Sequence, residues 1–184
     1  MSLAIEGLGA RRRPQSPWQH LPSLAASLAP GIAFGLGLLA LAPSPRFAWL
    51  RALDRWPVEL WIIALTGTLA TLAGIGDWLY HRRAGITIGP KERRCELIAL
   101  ACGGLPLFAL MTGASLTARP AVFLLPVMAV LVFTTALIAY DEFVFHRRRC
   151  GRLETALHRT LVFGHAIAFG AWAHFCFVRG AYHG

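Results

Sequence analysis

Lysine is nearly missing from this chain, and charge of either sign is scarce. Only 15% of the 184 residues are charged, whereas 56% are hydrophobic. A soluble domain of this length needs a more polar surface, so the balance excludes one and predicts helices that cross a membrane. Lys91 stands alone among 18 basic residues. The net charge of +9 therefore resides in arginines, and these sit at the ends of apolar runs, where a membrane flank explains them better than a nucleic-acid partner. The cysteines, Cys95, Cys102, Cys150 and Cys176, show no CxxC or zinc-ribbon spacing, and read as packing thiols in a reducing compartment. No phosphate loop, nucleophile elbow, dinucleotide fingerprint or CxxCH haem site occurs.

What the chain does have is apolar length. Residues 1–20 form a polar segment with Arg11, Arg12 and Arg13, and residues 21–184 form one domain. Five apolar runs lie at about 21–42, 58–80, 92–113, 121–145 and 153–178, each close to the ~20 residues that span a bilayer. The first, with basic residues before it and Ala-Leu-Ala-Pro at its end, also fits a signal peptide. Its length favours an uncleaved span. Trp49 and Trp56 fit an interfacial belt, Pro90 suits the first turn of a helix, and Pro106 suits a kink. Thirteen of the 18 basic residues fall on one side if the amino terminus is cytoplasmic. This positive-inside bias predicts an integral protein of a bacterial inner membrane with its amino terminus in the cytoplasm.

One phrase occurs twice: Asp77-Trp78-Leu79-Tyr80-His81-Arg82-Arg83 and Glu142-Phe143-Val144-Phe145-His146-Arg147-Arg148. Each reads acid, three large apolar residues, histidine, two arginines, and each closes an apolar run. Positions i and i+4 share a helix face, so each copy directs a carboxylate and an imidazole the same way. Glu92 with Glu96, and Glu154 with His158, repeat that spacing where the following spans begin. All four pairs then lie at one depth, near the cytoplasmic surface. The expected fold is all-α: an integral membrane helical bundle of about five transmembrane helices. Four of them, in two hairpins of like sense, form a pseudo-symmetric four-helix bundle with the first span outside it.

Ionisable groups at the edge of a membrane need partners, and metal cations can hold several together. Asp77, His81, Glu92, Glu96, Glu142, His146, Glu154, His158 and His165 are the candidate ligands. By angle alone His165 shares the face of Glu154 and His158, and His174 falls opposite and is set aside. The inventory is too large for one ion and suits two, with iron preferred and zinc or manganese as alternatives. Soluble dimetal bundles use Glu-x-x-His, which this i,i+4 spacing does not match.

The chain also resembles a group of short multispan bacterial membrane proteins of no settled function. The resemblance rests on Asp77/His81/Arg82, Gly85-Ile86, Glu92/Glu96, Gly104-Leu105-Pro106 and Glu154/His158, over residues 76–165. The order matches and the spacing is loose; position 96 is Glu where that group has His. The resemblance implies a metal site and nothing about substrate.

The expected activity is that of a diiron oxidoreductase acting on a lipophilic substrate or membrane lipid. Arg82, Arg83 and Arg147 would hold an anionic head group. A zinc-dependent hydrolase of a lipid-like substrate is the alternative, and a non-enzymatic metal- or proton-handling protein is another. Expected partners are a homodimer mate or a larger membrane assembly served as accessory subunit, and no nucleic acid.

Overall fold

The computed structural model describes residues 21–84, 90–144 and 151–179. Among these, six α-helices follow in order: α1 (Leu21–Leu41), α2 (Val58–Ala84), α3 (Pro90–Ala99), α4 (Leu105–Leu116), α5 (Leu124–Val144) and α6 (Arg152–Ala173). A π-turn, Leu100–Gly104, joins α3 to α4, and a second, His174–Val178, extends α6. Short 3-10 turns at Pro45–Arg51, Leu53–Arg55 and Pro120–Phe123 complete the described chain, which contains no strand. Four of the described stretches are long and apolar enough to cross a membrane: Val58–Ala84, Leu97–Leu116, Pro120–Tyr140 and Arg152–Val178. The first apolar run differs from expectation. Leu28–Leu41 meets the same requirement only together with Pro45–Arg51, from which it is bent by 117°.

Local chemistry explains the boundaries. Pro43 and Pro45 stop α1. Arginines then close two helix ends from the side. Arg51 Nε donates to the carbonyl of Ala42 at 2.7 Å, and Arg46 Nη1 donates to that of Leu116 at 2.9 Å. Both satisfy carbonyls that a helix terminus leaves without an intrahelical donor. Pro90 opens α3 as its lack of an N–H favours. Pro106 can neither donate to residue 102 nor tolerate its carbonyl at α-helical distance. The preceding turn is accordingly widened, with Leu105 N–H donating to the Leu100 carbonyl.

The tightest packing joins α2 to α6. They run antiparallel in a single register. Glu59 meets His174 and Arg179, Gly164 meets Thr66 and Ala70, Gly76 meets Leu157, and His81 meets Glu154. A Cβ at Gly164 would lie 2.9 Å from Ala70 Cβ and 2.9 Å from the Thr66 carbonyl oxygen, so the two backbones come this close only because no side chain intervenes. Ile63, Ala70 and Ala73 are buried in turn along α2, at heptad-like spacing that keeps one seam facing α6.

The other pairing is α3 and α4 with α5. Gly103 is buried in the π-turn, and a side chain there would collide with Thr134 of α5. The two pairs join near the carboxyl end of α6, where Leu107, Met111 and Ala114 of α4, Val127 of α5, and Phe175 and Cys176 form a core. Trp172 ties α1 and α4 to α6: its ring meets Phe34 and Phe108 edge-on, and its Nε1 donates to Ser115 Oγ at 2.8 Å. Helices expected to pair as sequence neighbours, span two with three and four with five, instead pack as α2 with α6 and α3–α4 with α5. Small residues let both pairs approach closely, Gly164 against Thr66 and Ala70 in one and Gly103 against Thr134 in the other. α1 lies against α2.

Gly164→Val is expected to force α2 and α6 apart and to lower stability by about 1–3 kcal/mol. Gly170→Ala, where nothing lies within 4 Å of the added Cβ, should leave stability equal or raise it by about 0.5–1 kcal/mol. Denaturation midpoints of the two variants in one detergent check this.

Candidate functional site

The last turn of α2 faces the first turn of α6 at one end of this seam. α2 runs four residues beyond the expected end, to Ala84, which carries His81, Arg82 and Arg83 onto the helix. Basic groups there suit the negative end of the helix dipole. His81 is 8% exposed and Glu154 2%, so both are removed from water and each depends on the other. His81 Nε2 stands 2.7 Å from Glu154 Oε1, and its Nδ1 stands 3.5 Å from Asp77 Oδ2. A carboxylate only accepts, so the Nε2–H donates to Glu154. The imidazole donates to both acids only as its cation. His158 lies one turn beyond Glu154 on the same helical face and is half-buried.

At 2.7 Å the His81–Glu154 contact is a hydrogen bond, shorter than the ~3.4 Å between two ligands around one tetrahedral ion. Among the described residues, no three His, Cys, Asp or Glu side chains converge as a metal-binding group. The side chains of Glu92, Glu96 and Glu142, and residues His146 and Arg147, lie outside the described residues. Arg82 is exposed and lies over the Trp78 ring at 5.5 Å; Arg83 is exposed beside it.

His165 is not part of this cluster. Its neighbour Gly164 packs at the level of Thr66 and Ala70, and its Nδ1 donates to the Leu161 carbonyl at 3.0 Å. It shares an angular position with His158, yet seven residues of rise separate them by about 10 Å. That is too far for one ion.

The opposite end of the seam holds a cluster that sequence reasoning missed. Glu59, only 4% exposed, accepts from His174 Nδ1 at 2.9 Å through Oε1 and from Arg179 Nη1 at 2.8 Å through Oε2. On an α-helix, residues 174 and 179 would point about 140° apart. The π-turn, closed by Arg179 N–H donating to the His174 carbonyl at 3.0 Å, stacks them on one side. The usable signal was Glu59 itself: a lone acid one residue into a long apolar helix needs a buried partner.

Comparison with known protein families, curated proteins and solved structures gives no match to this chain.

Glu154→Ala is expected to lower stability by about 3 kcal/mol, because His81 then loses its buried partner. Adding His81→Ala should destabilise by less than the two single changes together, a coupling of about 1–3 kcal/mol. Chemical denaturation of the three variants in detergent measures it.

Proposed function

We propose that the chain is an integral membrane metalloprotein, with its amino terminus cytoplasmic, that works as an iron-dependent oxidoreductase on a lipophilic substrate. The supporting observation is His81, buried at the junction of two spans and set between the carboxylates of Asp77 and Glu154. Mixed carboxylate and imidazole donors suit iron, with zinc or manganese next. Because no three of these groups converge in the structure, Asp77 and His158 would have to turn in toward the His81–Glu154 pair for the four to hold the first ion. Glu92, Glu96, Glu142 and His146, at the ends of the other pair of spans, would complete a second position. When bound, iron supplies redox and dioxygen chemistry. The protein's part is to position the ligands, to exclude water through the α2–α6 seam, and to offer a lipid-side approach between apolar helices. Arg82 and Arg83, exposed at that surface, would receive an anionic head group.

A second reading draws on the directness of the His81–Glu154 contact. At 2.7 Å it is also a complete hydrogen bond, the geometry of a proton-handling or purely cohesive pair.

Elemental analysis of the detergent-purified protein separates the two. One to two equivalents of iron, with a near-ultraviolet or visible band, are expected. His158→Ala should reduce the bound metal at least several-fold. Colourless zinc would move the chemistry to hydrolysis. Protein free of stoichiometric metal, after expression with iron supplied, would overturn the metal reading in favour of the second.

A further inference from the structure

The elbow between α1 and α2 carries charge that the fold does not use. It consists of the 3-10 turns Pro45–Arg51 and Leu53–Arg55, the first bent by 117° from α1. It meets one end of three helices. Arg46 reaches the Leu116 carbonyl that closes α4, Arg51 reaches the Ala42 carbonyl just after α1, and the Trp49 ring meets Phe175 beyond α6 at 6.3 Å. The elbow therefore lies across the bundle where the apolar helices end. In a chain that spans a membrane, this is the level of the lipid head groups. Trp49 and the buried Leu50 face inward.

The outward side is basic. Arg46, Arg51 and Arg55 are exposed, against one exposed acid, Asp54. The next acid along the chain, Glu59, is buried and already meets His174 and Arg179, so it neutralises none of the three. Arg46 spends its terminal nitrogens on the carbonyls of Leu116 and Thr117. Arg51 is held differently: its Nε donates to Ala42 at 2.7 Å, which fixes the guanidinium and leaves its two terminal nitrogens for a pair of phosphate oxygens. Arg55 makes no side-chain hydrogen bond or ion pair among the described residues. Beside this basic turn, α2 presents Trp61, Leu65 and Leu69, all exposed and all on one helical face. They extend over ~12 Å of rise, close to the ~15 Å hydrocarbon depth of one leaflet.

A basic head region above an apolar strip of that length complements an amphiphile with an anionic head. We infer that the elbow is a docking surface for an anionic phospholipid. Arg51 and Arg55 take the phosphate, and an acyl chain lies along Trp61, Leu65 and Leu69. The inference rests on the chain's spanning a membrane and not on the metal site, since Arg82 and Arg83 stand at the other end of α2.

The test is native mass spectrometry of the full chain in detergent, with phosphatidylglycerol and phosphatidylcholine of identical acyl chains. An Arg82→Gln/Arg83→Gln background removes the arginines assigned to substrate. The first phosphatidylglycerol should bind at least about 10-fold more tightly than phosphatidylcholine. One arginine near a membrane surface is worth a factor of about 5, so Arg55→Gln should weaken phosphatidylglycerol by about that factor and leave phosphatidylcholine unchanged. Arg55→Lys should keep most of the affinity. Having no bond to lose, Arg55→Gln should also keep the parent's denaturation midpoint. Equal binding of the two lipids, or phosphatidylglycerol binding unchanged in Arg55→Gln, would overturn the docking surface. Displacement of the lipid by inorganic phosphate at matched concentration would reduce it to a plain anion site and overturn the lipid assignment. A chain that stays soluble and monomeric without detergent would overturn the membrane reading, and this surface with it.

Discussion

The approach of α2 to α6 at Gly164 is the constraint on which the rest depends. With no side chain at that position, the Thr66–Ala70 turn of α2 seats directly against the α6 backbone. One contact in the middle then sets the register of two long helices. That register decides which polar groups meet at each end, since His81 reaches Glu154 and Glu59 reaches His174 and Arg179 only in this alignment. A slip of one turn would strand carboxylates that are 2% and 4% exposed. An uncompensated buried charge costs several kcal/mol, so the polar ends and the small central residues reinforce one another.

Between those ends the seam carries no charge. Six hydroxyl groups of the long apolar helices are turned onto their own backbone. Thr66, Thr71, Thr112, Ser115, Thr134 and Thr160 each donate to the carbonyl four residues back. In apolar surroundings this satisfies the hydroxyl without a partner helix. Ser115 goes further by accepting from Trp172, which ties the hydroxyl into the contact between α4 and α6. Along the α2–α6 seam polarity is thus sorted by position, with ion pairs at the two ends and the self-contained hydroxyls of Thr66, Thr71 and Thr160 between.

Much of this is legible in the residues. The lengths of the apolar runs anticipate each long helix to within a few positions. The acid–imidazole spacing at Asp77/His81 and at Glu154/His158 points to the end where those groups gather. The cross-helix partner of His81 is not legible, because it depends on a register set three turns away, where Ala70 of α2 meets Gly164 of α6. His174 is lost to the idealised helical wheel. A seam of period 3.5 drifts by ~20° per heptad from the straight-helix count, and nearly three heptads separate Glu154 from His174. The π-turn then moves Arg179 as well. His165 fails in the other sense, since angular agreement says nothing of axial rise. The pairing of helices is misjudged when adjacency in sequence outweighs the small residues at positions 70, 73, 74, 76 and 164.

The two widened turns also bear on how this chain tolerates changes of length. A π-turn accommodates one residue more than the α-helix around it needs. Removing a residue from Leu100–Gly104 would keep the flanking faces in phase, but it returns a carbonyl onto the Pro106 ring, so ordinary winding requires replacing Pro106 as well. The same deletion a turn or two further along α4 would rotate every later side chain by about 100° and scatter Met111 and Ala114 off the core. Single-residue deletions therefore divide by location: absorbed beside Gly103 once Pro106 is replaced, and ruinous a few residues onward.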